Sequence, residues 1–188
     1  MTDRVQLPRL YLAWLTPAAF TPGDAELDLA ADVLAGGKNS RLYKRLVYDM
    51  QIAQSVSAFQ SSNLLSSEFY VIVTARSVEG KTADEIAAEV KAVVDEEVEK
   101  LRQTPPDARE VQRALNQTEA AFYSRMERVG GFGGKADQLN SYFMRTGNPD
   151  YFNEDLARYR EATPASLRRV ARDHLDPDAR VVVHGVPG

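Results

Sequence analysis

The spacing of apolar residues changes along this chain, and that change limits the fold to one class. Near residues 10–15 and 67–76 the apolar side chains follow the two-residue period of a β-strand. From residue 82 onward they recur every three or four positions, which is the period of an amphipathic α-helix. Short strands that are separate in sequence from a long series of helices are typical of α+β proteins. We therefore predict an α+β fold, with a mostly antiparallel sheet and helices packed on one face.

The predicted order is one strand, two helices, two strands, a series of helices and a last strand. Because residues 10–15 are apolar on both faces, they predict a central strand that is covered on both sides. A capping box predicts a helix start at Thr82 and another at Asp107. The remaining predicted segments are helices at 27–34 and 42–50, strands at 52–60 and 67–76, helices at 135–146, 150–161 and from 164, and a strand at 180–184.

The predicted core joins one face of the sheet to the helices that follow it. Within the helix at 135–146, Leu139 and Phe143 are predicted to point inward. The sheet residues assigned to this core are Leu12, Trp14, Val71, Val73 and Val183, and their predicted helical partners are Leu34, Leu46, Val90, Val94 and Phe122.

The composition indicates a globular domain and excludes other classes. A chain of 188 residues with 44% hydrophobic and 27% charged residues is long enough to bury a sizeable core. The net charge of −4 offers no basic surface for nucleic acid, so we expect no nucleic-acid partner. No apolar run has the length of a membrane span. The chain has no cysteine, which excludes disulfides and thiolate zinc sites.

Residues 27–59 carry the most specific pattern in the chain. A helix ends at Gly36-Gly37, Ser40-Arg41-Leu42 begins the next helix, and Ala53-Gln54-Ser55-Val56-Ser57-Ala58 has the composition of a strand. This pattern resembles the recurring core of domains in the M16 (pitrilysin/insulinase) metallopeptidase family. A weaker similarity covers residues 110–137.

The resemblance implies an M16/LuxS-like metallohydrolase fold and a bacterial zinc protease as the parent protein. It also implies that a pair or a quartet of such domains encloses a chamber, with zinc bound by one of them. We expect residues 1–188 to be a single M16-type domain excised from a longer multidomain protease. The compartment stays open, because the lack of cysteine fits a cytoplasmic or a periplasmic parent. The resemblance itself points to a periplasmic parent.

Catalytic M16 domains carry a His-x-x-Glu-His motif, which supplies two zinc ligands and a general base. This chain has only two histidines, His174 and His184, and neither belongs to such a motif. A zinc site needs at least three protein ligands, so we interpret both histidines as structural. We expect no catalytic, cofactor-binding or metal-binding residue in this chain, and zinc in a partner catalytic domain.

Pitrilysin-type enzymes also use an arginine and a tyrosine from a partner domain to hold the substrate near the zinc. The corresponding positions here are Val47 and Gln54, and neither side chain can do that work. Arg45 and Tyr48 are nearby but out of phase, so we expect both to lie on a helix surface.

The glycine-rich segment from Gly130 to Lys135 invites a phosphate-loop interpretation. Its spacing does not fit, because Val129 occupies the place of the first Walker A glycine and Ala136 that of the Ser or Thr. We predict a mobile turn in which Phe132 is the only side chain able to anchor the loop, and contact with substrate remains a second hypothesis. A separate acidic run, Asp95-Glu96-Glu97 with Glu99, is interpreted as a solvated helix face.

The residues and the resemblance together predict a non-catalytic, zinc-free domain of an M16 zinc metallopeptidase. Such a domain would form part of the substrate chamber and aid peptide binding and closure. Its expected partners are a catalytic M16 domain, in the same chain or as a separate subunit, and unfolded peptide bound by β-augmentation. The alternative is an M16-like scaffold or interaction module with no proteolytic role.

Overall fold

The computed structural model describes residues 2–3 and 6–187. Apart from a short first strand that was not predicted, the elements in this part of the chain follow the predicted order. The strands are β1 (Thr2–Asp3), β2 (Arg9–Thr16), β3 (Ala53–Ser61), β4 (Ser67–Ala75) and β5 (Arg180–Pro187). The α-helices are α1 (Asp24–Ala35), α2 (Ala83–Gln103), α3 (Ala108–Glu127), α4 (Lys135–Thr146), α5 (Phe152–Arg160) and α6 (Pro164–His174). A π-helix, Tyr43–Asp49, follows α1.

The strands form a sheet in the order β1-β5-β2-β4-β3. β2 is antiparallel to both β4 and β5, and β3 is antiparallel to β4. The short β1 pairs with β5 in parallel. The fold is therefore α+β with a mostly antiparallel sheet, as predicted. Among the described strands, β3 forms one edge of the sheet.

Helices cover one face of the sheet, which corrects the prediction that β2 is covered on both sides. On the covered face Leu12 and Trp14 are almost completely buried, together with Val71 of β4. On the opposite face Leu15 is 72% exposed. β2 is central because it has strands on both sides, so its apolar outer residues reflect the strand's position in the sheet and not a second layer of helices.

The buried residues form two clusters, and two residues of the predicted core lie outside the main cluster. The main cluster lies between the sheet and α1, α2 and α6, and it contains Leu34, Leu46, Val90 and Val94 as predicted. Phe122 belongs instead to a second cluster between α1, α3, α5 and α6. Val183 is opposite Tyr11 in the sheet register, and residues directly opposite share a face, so Val183 lies on the open face.

Three helices begin at capping boxes that are formed by residues close to each other in sequence. Thr82 accepts a hydrogen bond from the backbone N–H of Glu85, and Asp107 does the same for Glu110, so both predicted capping boxes are confirmed. Thr163 forms a third capping box with Ser166, one residue before the proline that begins α6.

The inward face of α4 differs from the prediction. Leu139 and Phe143 are 43% and 59% exposed, whereas Tyr142 is buried. The Tyr142 ring packs edge-on against Phe20, and its hydroxyl donates a hydrogen bond to Asp155 at 2.9 Å. An aromatic ring with a buried hydrogen-bond partner has therefore taken the inward position, and the helix is rotated by about one residue from the orientation that the apolar pattern predicts.

Candidate functional site

A cavity of about 580 Å³ opens between α1, α3, α4 and α5, beside the end of β3. We call it the α1 cavity. Its volume is in the range of known ligand pockets. The charged side chains that line it are Asp24, Asp28, Asp32, Arg125, Arg145, Asp155 and Arg158.

The three aspartates of α1 share one face of the helix because they are spaced four residues apart. The neighbouring face carries Leu27 and Leu34, which are buried in the main core under the sheet. Helix α1 therefore packs on the sheet with its apolar face and presents a row of carboxylates to the cavity.

Asp24 lies at the end of the row where α1 begins. Its carboxylate accepts hydrogen bonds from the Phe20 backbone N–H at 2.8 Å and from Gln60 Nε2 at 2.6 Å. It also accepts from Ser62 Oγ at 3.1 Å and from Arg158 Nη2 at 3.0 Å. This single buried side chain joins the start of α1, the end of β3 and α5, so its role is structural.

Asp28 lies next along the row and has a different environment. It accepts a hydrogen bond from the Tyr159 hydroxyl at 2.7 Å. Burial raises the pKa of Asp28 to about 7, and the negative charges of Asp24 and Asp32 act in the same direction. Burial likewise raises the pKa of Asp32 above its usual range. Near neutral pH Asp28 therefore gains and loses a proton easily.

Asp155 connects α4 to α5 on the far wall. Its Oδ2 accepts the Tyr142 hydroxyl, and its Oδ1 lies 3.3 Å from Nε of Arg158. Burial raises the pKa of Asp155, while the Arg158 guanidinium lowers it. Arg158 thus lies between Asp24 and Asp155 and holds two elements together across the cavity.

The donors around the cavity do not form a metal site. Within residues 2–3 and 6–187, no group of three or more His, Cys, Asp or Glu side chains could hold a metal ion. The zinc that the resemblance implies for the parent enzyme therefore does not fit this set of residues. The mixture of carboxylates, guanidinium groups and aromatic rings suits the binding of a polar or charged ligand.

The two histidines lie on different elements. His174 is the last residue of α6, where a protonated imidazole would interact favourably with the helix dipole. His184 is in β5, with its Nδ1 3.4 Å from a carboxylate oxygen of Asp84. Neither side chain lines the α1 cavity.

The glycine-rich segment between α3 and α4 is a turn closed by its own backbone. The N–H groups of Gly134, Lys135 and Ala136 donate to carbonyl oxygens of the same segment, at 3.1, 2.7 and 3.1 Å. The Gly133 N–H donates to Asp137 Oδ2 at 2.9 Å. The four N–H groups at the start of α4 are therefore already used and are not free to bind a phosphate. Phe132 is fully exposed, which corrects the expectation that it anchors the loop. The mobility of this turn stays a prediction.

The acidic run is not simply a solvated face. Glu97 is 5% exposed, and its carboxylate contacts Nη1 of Arg45 at 2.7 Å and Nζ of Lys100 at 3.0 Å. Asp95 contacts Nη1 of Arg180 at 2.6 Å. Cations from the π-helix and from β5 reach these carboxylates, and sequence spacing alone does not reveal such long-range partners.

The positions compared with the family's arginine and tyrosine have ordinary surroundings. Val47 packs, partly buried, against the main core, and Gln54 is exposed at an irregularity in the β3–β4 register. Tyr48 is exposed as predicted. Arg45 differs from the prediction, because its ion pairs with Glu96 and Glu97 tie the π-helix to α2.

The sequence prediction missed the α1 cavity altogether. One signal was present, since Asp24, Asp28 and Asp32 recur at the helical period on one face of a helix whose other residues, apart from Glu26, are apolar. The groups that enclose this row, Asp155 and Arg158, are more than a hundred positions away in sequence, so no local pattern connects them to it.

Comparison with known proteins identifies the family. The model of the family described as "Peptidase M16 inactive domain" matches residues 1–118. The chain belongs to this family. No curated protein matches the sequence.

Several solved structures share the fold of this M16 inactive domain. The inactive peptidase domain of a proposed zinc protease from Bordetella parapertussis has 22% identity and a TM-score of 0.80, and the match covers all of this chain and 95% of that one. A protease from Helicobacter pylori has 19% identity and a TM-score of 0.79. A peptidase M16 inactive domain from Pseudomonas fluorescens has 16% identity and a TM-score of 0.79.

This M16 inactive domain spans only part of some of these relatives. It is covered completely in the matches to the Helicobacter and Pseudomonas proteins, yet it accounts for 43% of each of those chains. The helices of the described residues include none that is both long and apolar enough to cross a membrane.

Proposed function

We propose that this chain is a single zinc-free domain of a longer bacterial M16 metallopeptidase, and that it binds unfolded peptide as part of the wall of the substrate chamber. In this proposal zinc and the catalytic motif belong to a partner M16 domain, in the same chain or in a separate subunit. The match to the inactive-domain family supports a non-catalytic role. Relatives that are more than twice as long as the matched region leave room for a second domain.

The observation that carries the peptide-binding proposal is the edge position of β3. In the described sheet β3 pairs with β4 on one side and with no strand on the other. Proteins usually protect such edges with charged residues or proline. β3 has the sequence AQSVSAFQS, which contains neither. Its only irregularity is the register shift between Ala53 and Ser55, so Ser55–Ser61 pairs regularly with β4.

An extended peptide can add to such an edge as a further strand. Its backbone would use the N–H and C=O groups on the outer side of β3, which gives affinity with little dependence on sequence. The α1 cavity lies directly beside the end of this strand, because Ala58, Phe59 and Gln60 line it. A bound peptide could therefore present alternate side chains to the cavity.

The edge-strand proposal can be tested by NMR on the 188-residue chain with a seven-residue peptide of alternating threonine and valine. We expect the amide signals of residues 55–61 to shift on titration. A matched peptide that is N-methylated at alternate residues cannot form the new ladder and should cause no such shifts. Shifts that occur elsewhere, or that are equal for both peptides, would exclude β3 as the binding edge.

A scaffold role is the second candidate, and the open face of the sheet favours it. Leu15 and Val181 are 72% and 63% exposed on this face, and apolar surface of this kind often contacts another protein. The parent's reading frame distinguishes the two functions. A His-x-x-Glu-His helix encoded in the same or an adjacent frame supports the protease role, and its absence supports the scaffold.

A further inference from the structure

The α1 cavity contains more carboxylates than cations. Four aspartates line it, against the three guanidinium groups of Arg125, Arg145 and Arg158. Two of these arginines are already engaged, since Arg158 contacts Asp24 and Asp155, and Arg145 donates to the backbone carbonyl of Ser62 at 3.2 Å. Arg125 lies over the Phe122 ring, 5.8 Å from its centroid.

The carboxylates that lack an ion-pair partner are those in the middle and outer part of the α1 row. Among the described residues, Asp28 and Asp32 take part in none of the ion pairs within 4.0 Å. The positive charge of Arg113, in α3, lowers the pKa of Asp32. The positive charge of Arg158 lowers the pKa of Asp28, but its effect is small. When it is ionised, this part of the row therefore has a negative charge that no ion pair of the described residues neutralises.

A second, independent feature also points into the cavity. The Asp155 side chain is 7% exposed and lines the wall opposite α1. Its Oδ1 is buried and accepts no hydrogen bond from the described residues, although Nε of Arg158 lies 3.3 Å away. The side-chain oxygen of Gln60, at the β3 side of the cavity, is likewise buried without a donor. Nε and Nη1 of Arg158 are also buried without an acceptor, and this Nε is the group that faces Asp155 Oδ1. The acceptor with no donor facing it is therefore the Gln60 oxygen, and because buried acceptors normally have a donor, it favours a ligand with N–H groups.

The geometry of the edge strand determines how such a ligand could enter. Ala58 and Gln60 are two residues apart in β3 and lie on the same side of the sheet as the cavity. A strand added at the free edge of β3 would lie about 4.8 Å away, with every second side chain on that same side. One such side chain, if long enough, would extend over the α1 row.

We propose that the α1 cavity is a specificity pocket for a basic side chain, with arginine preferred, of a peptide that lies along β3. The proposal rests on the edge-strand function proposed above. A guanidinium group offers five N–H donors in a planar fork and binds carboxylates through two parallel hydrogen bonds. Asp28 and Asp32 provide the carboxylates, and the Gln60 side-chain oxygen provides a further acceptor. The positive charge of the bound side chain offsets the one carboxylate by which the four aspartates exceed the three arginines of the cavity.

The test compares two acetylated and amidated peptides of alternating threonine and valine that differ only at the central residue. One has arginine there, and the other has citrulline, which has nearly the same shape but no charge. Calorimetric titration of the 188-residue chain at pH 8 and low salt should show at least tenfold tighter binding of the arginine peptide. A lysine peptide should fall between the two, since its ammonium group cannot bind bidentately.

Matched variants assign the preference to the cavity. Asp28→Asn and the double variant Asp28→Asn/Asp32→Asn should reduce the arginine-to-citrulline ratio toward one. Asp173→Asn removes the same charge from an exposed position on α6 and should leave the ratio unchanged. Thermal unfolding of each variant confirms that it is folded before binding is compared.

The outcomes separate this inference from the proposed function. If both peptides bind equally well with shifts at β3, the edge-strand function stands and the basic pocket is wrong. If neither peptide binds, both proposals fail. A preference for arginine that survives the double variant would also overturn the pocket, because the charge would then be recognised elsewhere.

Discussion

Asp28 connects the chemistry of the α1 cavity to the stability of the fold. Burial raises its pKa to about 7, whereas an aspartate in an unfolded chain titrates near 3.9. Between these two values the folded protein holds a proton that the unfolded chain has released. Stability therefore falls as the pH rises from about 4 to about 7, and it changes no further above the folded pKa. A cation bound beside Asp28 would relieve the same cost.

The variant Asp28→Asn should remove this pH dependence while keeping an acceptor for the Tyr159 hydroxyl. At pH 8 the variant should be more stable than the unsubstituted 188-residue chain by about 2–4 kcal/mol. This difference in the free energy of unfolding should shrink toward zero near pH 4.5. Urea unfolding at several pH values measures it. Asp173→Asn serves as the control, and a difference that does not vary with pH would show that Asp28 is ionised throughout.

The residues of the site were only partly predictable from the sequence. The period of Asp24, Asp28 and Asp32 is visible on α1, yet its meaning depends on whether the row faces water or a cavity. That depends on α4 and α5, and no local rule predicts their packing against α1. Glu97 shows the same limit, because its main partner Arg45 lies in the π-helix and not on α2.

Among the elements, the turn between α3 and α4 shows how glycines differ within one loop. Gly131 and Gly133 have φ values of 83° and 72°, in the left-handed region that favours glycine. A Cβ added at Gly134 would lie 2.6 Å from the carbonyl oxygen of Gly130. A Cβ added at Gly130 itself would meet nothing within 4 Å.

Alanine substitutions in this turn should therefore have opposite effects. Gly131→Ala should destabilise the domain by about 1 kcal/mol, because alanine is strained at positive φ. Gly130→Ala should leave stability unchanged or raise it by up to about 1 kcal/mol, because it restricts the unfolded chain more than the folded one. Chemical denaturation of both variants tests the difference. Equal losses would mean that Gly130 also needs a conformation reserved for glycine.

The elements themselves were largely predictable because their signals are local. Capping boxes at Thr82 and Asp107 and the apolar period of β4 depend on neighbouring residues, and the structure confirms them. The errors concern what lies against an element. The number of layers over β2, the inward face of α4 and the cluster that contains Phe122 are decided by distant parts of the chain.

For the whole molecule, the two faces of the sheet suggest a division of roles. Helices, the main core and the α1 cavity occupy one face. The other face exposes Leu15, Phe59 and Val181, and β3 adds a free edge at one side. A domain built this way can offer its cavity and edge to a peptide while its open face contacts another domain. This arrangement suits the chamber-wall role that we propose above.

The whole chain should bind no stoichiometric zinc and cleave no peptide by itself. His174 ends α6 and His184 lies in β5, and no described group of three or more His, Cys, Asp or Glu side chains could hold a metal. Two ligands are too few for a stable zinc site. Metal analysis of the dialysed 188-residue chain should give well below about 0.1 zinc per chain, and a fluorogenic peptide library should remain uncleaved. One tightly bound zinc per chain, lost in a His174→Ala/His184→Ala variant, would contradict this and would place a metal site in the domain itself.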